Sequence, residues 1–212
     1  MRIPSKIAAL CGIAILATTW TSAASAAETI KLGVIMPVSG GAAFVGNAVV
    51  DGIKLAVDEI NAAGGIGGKK LEYVVRDSQA KPDVSVAAAK ELITSEKVDV
   101  LVGPATSGAA LAVSEVAKAE KIVNLSPTAN ASSLTDEKLH KYIFQFASTS
   151  DADAPRMIAV LQKLGAKKLC FAGYDYAGWL DVYKAIKANL PADIEETNHY
   201  LVKLGNTDYS TL

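Results

Sequence analysis

Apolar residues along the chain alternate between short continuous runs and helical spacing. The run at residues 30–36 predicts a strand that ends at Pro37. Between residues 46 and 63 the apolar positions instead recur every three or four residues, as on one face of a helix. Gly64 and Gly65 predict the end of that helix, because glycine accepts the left-handed conformation that closes helices.

The same alternation continues to the end of the chain. Further strands are predicted at residues 71–76, 98–102, 122–125, 168–172 and 194–201. Further helices are predicted at residues 84–95, 107–119, 151–164 and 178–189. A polar segment at residues 126–141 separates two such series and is predicted to be a loop. Strands that alternate with helices are typical of parallel sheets covered by helices on both faces.

The predicted fold class is therefore α/β, with two doubly wound parallel-sheet lobes. We place the first lobe at residues 27–147 and the second at residues 148–212. Only two strands are predicted in the second lobe, which is too few for a stable doubly wound sheet. We therefore expect this lobe to be incomplete and the sequence to represent a fragment.

The N-terminus has the order of a secretory signal. Arg2 and Lys6 precede an apolar run at residues 7–20, and the small residues at 24–26 suit a signal peptidase. We predict a signal peptide at residues 1–26 and an exported, periplasmic mature chain. A membrane anchor is the alternative, but the apolar run is short for a bilayer span and no strong positive charge follows it.

Composition and charge exclude several classes of partner. The net charge is −1 and the chain has no basic cluster, which argues against a nucleic-acid partner and against an anionic membrane surface. Cys170 is the one cysteine left after signal removal, so an internal disulfide is excluded. Because it lies in an apolar run, we expect it to be a small buried residue.

Signals for catalysis and for cofactors are weak. The two histidines lie in unrelated contexts, metal-ligand spacing is absent, and no nucleophile elbow is present. The glycine-rich stretch at residues 38–44 could cradle a phosphate but does not match the dinucleotide-binding pattern. The stretch at residues 64–70 follows a helix and precedes a strand, which is the reverse of a phosphate-binding loop. We therefore expect no enzyme activity, no cofactor and no metal.

Polar residues follow two consecutive strands at what should be the same edge of the sheet. Thr106 and Ser107 follow the strand at 98–102 and open a helix, and Thr128 and Asn130 follow the strand at 122–125. Hydroxyls and amides at such strand ends are well placed to hold a carboxylate. Ser107 as a simple helix cap, and the second segment as an ordinary turn, are the alternatives.

Aromatic residues follow the first strand of the second lobe. Tyr174, Tyr176 and Trp179 lie just beyond residues 168–172. Such side chains can form the wall of a ligand site, and they are equally typical of a core. The sequence leaves both interpretations open.

Several segments together resemble the leucine/isoleucine/valine-type periplasmic solute-binding proteins of ABC importers. The likeness extends from residue 28 to residue 212 and is carried by residues 30–39, 58–66, 102–104, Ser107, 126–127 and 205–210. The resemblance implies a type I periplasmic binding fold, in which two lobes close on the ligand. It also implies a monomeric receptor that delivers a branched-chain amino acid or a similar small carboxylate to membrane permease subunits.

The resemblance also assigns roles to individual residues. It implies that Ser107 binds the ligand α-carboxylate, that Thr128 and Asn130 flank it, and that Tyr176 reaches the cleft. The family usually has threonine at the position of Asn130, and Val45 stands where one branch has a cleft tyrosine. The acid that pairs with the ligand ammonium is expected beyond residue 212.

Other readings of the same features remain open. A receptor of this fold for an aromatic acid, a short-chain amide or urea is the first alternative. A periplasmic ligand sensor is the second, and a Rossmann-like enzyme is the third.

Overall fold

A computed structural model describes residues 29–203 and 206–210, so the predicted signal peptide lies outside the described residues. The strands are β1 Thr29–Met36, β2 Lys70–Asp77, β3 Val100–Val102, β4 Val123–Ser126, β5 Ile143–Gln145, β6 Lys168–Tyr174 and β7 Glu195–Val202. The helices are α1 Ala43–Ala62, α2 Pro82–Thr94, α3 Ser107–Glu120, α4 Ser150–Lys163 and α5 Ala177–Asn189. Strands and helices alternate as the sequence predicts, and their ends differ by a few residues.

The strands form two parallel sheets. The first has the order β2-β1-β3-β4-β5, and the second pairs β6 with β7. We call the first sheet with α1, α2 and α3 the first lobe, and the second sheet with α4 and α5 the second lobe. In the first lobe the chain leaves β1 toward β2 on one side and returns to β3 on the other. Ligands of doubly wound sheets bind at the carboxyl ends of the strands beside such a reversal.

The core explains the continuous apolar run of β1. Val34, Ile35 and Met36 are all fully buried, because helices cover both faces of the first sheet. Ile35 packs with Leu101 and with residues of α2 and α3, whereas Val34 and Met36 pack on the α1 side. The segment Gly40–Ala62 has the length and apolar composition of a membrane span, but here it packs on the sheet.

One strand was not predicted from the sequence. The polar segment at residues 126–141 leads into β5 Ile143–Gln145, which pairs with β4 at the edge of the first sheet. Only Ile143 of these three residues is buried, so the segment lacks the apolar run that marks the inner strands. The predicted lobe boundary at residues 147–148 lies in the connection between β5 and α4.

The expectation that Cys170 is buried is wrong. Its side chain is exposed and lies along an open, mostly apolar groove of about 460 Å³, with Met157 and Val160 of α4. Phe171, its neighbour in β6, points into the core of the second lobe. Within the described residues β6 pairs only with β7, so an apolar run here does not imply cover on both faces.

An ion cluster links β1, β2 and the end of α2. Glu96 accepts from Lys31 at 2.8 Å and from Arg76 at 2.7 Å. The hydrogen bond from Lys31, followed by that from Arg76, holds the pKa of the Glu96 carboxyl below its usual value. A carboxyl whose pKa is lower in the folded state stabilises the fold above its ordinary pKa, and this contribution is lost as the pH falls through the folded value.

We therefore expect the Glu96→Gln variant to lose less stability than the wild type when the pH falls from about 5 to about 3. Urea unfolding at several pH values measures this difference. Glu115→Gln, a change of an exposed acid on α3, is the control and should leave the wild-type pH dependence intact. Identical pH profiles for wild type and Glu96→Gln would contradict the assignment.

Candidate functional site

The turn from β3 into α3 is held tightly against β1. Gly103 has a φ of +109°, and a Cβ there would lie 2.2 Å from the carbonyl oxygen of Ile35, so this position requires glycine. Asn124 of β4 donates from Nδ2 to the Gly103 carbonyl at 2.8 Å. These contacts fix where α3 begins.

The first turn of α3 has no side-chain cap. Thr106, not Ser107, is the N-cap residue, and its side chain makes no cap hydrogen bond. The interpretation of Ser107 as the cap of its own helix therefore does not hold. An N-terminus without a side-chain acceptor presents amide donors and a partial positive charge, and both favour an anion.

Ser107 and Asn130 meet across the ends of β3 and β4. The Ser107 hydroxyl donates to Asn130 Oδ1 at 3.1 Å, and the Ser107 residue is only 1% exposed. The Asn130 backbone is fixed as well, because its carbonyl accepts from the amide and the hydroxyl of Ser150 at the start of α4. The structure thus brings these two residues together, with their side chains bonded to each other.

Thr106 and Thr128 lie beside this pair and face open space. Thr128 donates from Oγ1 to the Ala105 carbonyl at 3.1 Å, which ties the turn after β4 to the turn after β3. Both threonines line a cavity of about 260 Å³. Ser107 and Asn130 do not belong to its lining, so the threonines are the sequence-predicted polar residues of the first lobe that face it.

The second lobe supplies an aromatic wall to the same cavity. Tyr174, Tyr176 and Trp179 line it, which favours their interpretation as part of a site. Burial, followed by the nearby Tyr174 phenol, raises the pKa of the Tyr176 phenol above its ordinary value. Tyr176 is therefore a neutral hydroxyl at the pH of ordinary solutions.

The segment after β1 forms the third side of the cavity. Ala42, Phe44 and Val45 line the cavity, and only Val45 was singled out from the sequence. The rule that ligands bind beyond carboxyl ends of strands applies to β1 as well as to β3 and β4. Applied to β1, that rule identifies this segment too.

Asp77, at the end of β2, holds the segment after β1 in place. Its carboxylate accepts from the Val38 amide at 3.1 Å, from the Gln79 amide at 2.9 Å and from the Ser39 hydroxyl. Partial burial alone would raise the pKa of Asp77, but these hydrogen bonds outweigh it and lower that pKa. The carboxylate is thus a structural anchor for the loop that leads to Phe44.

Two helix N-termini converge beside the cavity. α5 begins after Tyr176, which makes no side-chain cap hydrogen bond, and a Cβ on Gly108 of α3 would lie 4.0 Å from the Ala177 Cβ of α5. The nine lining residues are all uncharged, so the positive ends of the two helices are the main electrostatic feature on this side of the cleft. The described arrangement suits a small anion with an apolar body.

Comparison with known proteins identifies relatives of the chain. A family model described as periplasmic binding protein matches residues 29–212. The Leu/Ile/Val-binding protein BraC3 of Rhizobium johnstonii is 31% identical over 184 residues, which are 86% of this chain and 50% of that protein. The Leu/Ile/Val-binding protein homolog 3 of Brucella melitensis is 31% identical over 207 residues, 96% of this chain and 55% of that protein.

Solved structures share the fold. The branched-chain amino acid transporter substrate-binding protein LivJ of Streptococcus pneumoniae, in complex with isoleucine, has a TM-score of 0.76 and 33% identity, over 86% of this chain and 52% of that one. A solute-binding protein of an ABC transporter from Rhodopseudomonas palustris BisB5, in complex with 3,4-dihydroxybenzoic acid, has a TM-score of 0.78 and 30% identity, over 86% of this chain and 49% of that one.

These matches confirm the type I periplasmic binding fold and the resemblance to the Leu/Ile/Val-type receptors. The chain spans about half the length of these relatives. By its sequence and its fold, the chain belongs to the periplasmic binding protein family.

Proposed function

We propose that this chain is the periplasmic substrate-binding component of an ABC importer, which captures a branched-chain amino acid or a similar small carboxylate and delivers it to permease subunits. In this proposal the protein is an exported monomer that acts without a cofactor, without nucleic acid and without catalytic turnover. The two relatives from Rhizobium johnstonii and Brucella melitensis support this role, because both are named as Leu/Ile/Val-binding proteins.

One observation carries the proposal. Two helix N-termini without side-chain caps meet beside a cavity of about 260 Å³ that is lined by apolar and aromatic side chains. Amide donors at a helix N-terminus bind carboxylates, and an apolar cavity takes an aliphatic or aromatic body. We assign the carboxylate to the cavity-lining Thr106 and Thr128 and to Ser107 and Asn130, which must exchange their mutual hydrogen bond for bonds to the ligand. We assign the apolar body to the wall that includes Tyr176.

An aromatic carboxylate is the second candidate ligand. Phe44, Tyr174, Tyr176 and Trp179 provide ring surfaces in one small cavity, which suits stacking against a planar ligand. A protein of this fold with 30% identity is in complex with 3,4-dihydroxybenzoic acid. An amino acid differs because its ammonium needs an anionic partner, and none of the described lining residues is acidic.

Ligand identity is testable by intrinsic fluorescence. Trp179 lines the cavity, and Trp20, the other tryptophan, lies in the predicted signal peptide. We expect the emission of the mature chain to change in a saturable way with leucine, isoleucine and valine, or with benzoate and 4-hydroxybenzoate. Urea and a short-chain amide test the remaining alternatives.

The outcomes separate the candidates. Saturation by the aliphatic amino acids alone supports the first ligand class, and saturation by benzoates alone supports the second. A response confined to urea or amides would contradict carboxylate recognition. If no compound of the panel changes the emission of Trp179 or gives heat in calorimetry, the proposed function is wrong.

A further inference from the structure

Gly178 of α5, in the second lobe, lies directly against the Ser107–Asn130 pair of the first lobe. A Cβ at Gly178 would lie 2.8 Å from Ser107 Oγ, 2.8 Å from Asn130 Oδ1 and 2.9 Å from a ring carbon of Tyr176. Real Cβ atoms do not approach other heavy atoms so closely. The backbone of α5 therefore sits directly on the paired side chains of the first lobe.

The glycine has no explanation in its own backbone. Gly178 is the second residue of α5 and does not belong to the glycines with positive φ. Alanine is in general the better helix former, so helix propensity does not favour glycine at this position. The helix itself does not require glycine at this position. The close approach of α5 to the first lobe does.

We propose that Gly178 is the residue on which the second lobe closes over the first, and that its missing side chain sets how near the two lobes come. The consequence for ligand affinity rests on the proposed receptor function. Gly178 lies between Tyr176 and Trp179, so its contact also places both aromatic walls of the cavity. It is a positioning residue that acts through the lobe interface.

The partner atoms have little freedom to retreat. Ser107 is buried, its hydroxyl is bonded to Asn130, and the Asn130 carbonyl is fixed by Ser150. A methyl group at Gly178 must therefore push α5 away from α3 or break the Ser107–Asn130 hydrogen bond. Separation of the lobes is the expected response, because the described contacts between α5 and the first lobe are few compared with those inside each lobe.

The chain offers a matched control at the same interface. Gly108 is the second residue of α3, as Gly178 is of α5. A Cβ at Gly108 would lie 3.9 Å from Pro82 Cγ and 4.0 Å from the Ala177 Cβ, which is ordinary contact. Gly108→Ala therefore makes the same chemical change at the same helix position without the collision.

The test measures the distance between the lobes in the mature chain. Spin labels at the exposed Cys170 and at an introduced Lys118→Cys report on the second and first lobes respectively. We expect Gly178→Ala to lengthen this distance by several ångströms and Gly108→Ala to leave it at the wild-type value. The thermal midpoint and the circular dichroism spectrum of each variant are measured to check that both lobes remain folded.

A double variant keeps the test decisive if Gly178→Ala alone folds poorly. The double variant Gly178→Ala/Ser107→Ala lacks one of the two colliding oxygens. Its distance between the spin labels should therefore return part of the way to the wild-type value. A distance in Gly178→Ala equal to that of the wild type would overturn the inference. So would equal lengthening in Gly108→Ala.

Ligand binding separates this inference from the proposed function. For a carboxylate that binds the wild type, Gly178→Ala should lower the affinity about tenfold or more, and Gly108→Ala should not. A wild type that binds no carboxylate, with the distance change still present, would refute the function and leave the closure contact standing. A carboxylate that binds wild type and Gly178→Ala equally would refute the role of Gly178 in binding.

Discussion

Replacement of Gly46 by alanine is expected to destabilise the first lobe by about 3 kcal/mol or more. A Cβ at this position would lie 1.9 Å from the Pro37 carbonyl oxygen and 2.6 Å from its carbonyl carbon. Both atoms belong to the backbone of the loop after β1, so neither can rotate away. The methyl group must displace either α1 or the loop that Asp77 anchors, and both lead to the cavity wall at Phe44.

Gly52→Ala is the matched control. Gly52 lies in the same helix, and nothing lies within 4 Å of a Cβ there. Alanine should therefore stabilise the helix by about 0.5–1 kcal/mol. Urea unfolding of the two variants gives both free energies. If Gly46→Ala is as stable as Gly52→Ala, the close packing of α1 on Pro37 is wrong.

Ser107→Ala is expected to weaken ligand binding by about 10- to 100-fold, which corresponds to about 1.5–3 kcal/mol for a hydrogen bond to a charged group. The hydroxyl stands at the start of α3 and orders Asn130 through their mutual hydrogen bond. In the proposed site the hydroxyl turns from Asn130 to the bound carboxylate, so its removal deletes that donor and frees the neighbouring amide side chain. Calorimetry with the carboxylate that binds most tightly gives the change directly.

Ser85→Ala separates binding from folding. Ser85 is also a buried serine in the first turn of a helix, and its hydroxyl donates to the Lys81 carbonyl at 2.7 Å. This bond lies within α2 and does not reach Asn130, so we expect a loss of stability and an unchanged affinity. An equal affinity of Ser107→Ala and the wild type would remove Ser107 from the binding site.

For the proposed ligand, the uncharged lining of the cavity favours recognition by backbone amides over recognition by charged side chains. The described lining offers hydroxyls, rings and two helix N-termini, but no lysine or arginine. The amides of a helix N-terminus are already part of the fold and carry only partial charges. Little free energy is therefore needed to desolvate them when a ligand binds. Such a site is preorganised by the turns at Gly103 and Asp77.

Much of the fold followed from apolar patterning, because buried strands and amphipathic helices have distinct periods. β1 was predictable since both of its faces are covered, and the end of α1 was predictable from Gly64 and Gly65. β5 was missed because an edge strand of three residues carries too few buried positions to show a period. The prediction for Cys170 was wrong because an apolar run does not reveal whether a strand lies inside a sheet or at its edge.

The site was predictable to the extent that topology determines it. The carboxyl ends of β3 and β4 are adjacent in any sheet of this order, which brings Ser107 to Asn130. No sequence rule reveals that these two side chains bond to each other while Thr106 and Thr128 face the cavity. The contact of Gly178 was equally invisible, because it depends on how the second lobe approaches the first.

The central claim is that a ligand carboxylate binds at the N-terminus of α3, and calorimetry with matched carboxylate and amide pairs tests it most directly. Isoleucine against isoleucinamide and benzoate against benzamide differ only in the group that the helix terminus recognises. We predict that at least one carboxylate binds, and that its amide binds about tenfold more weakly or worse. An amide that binds as tightly as its carboxylate would contradict the account.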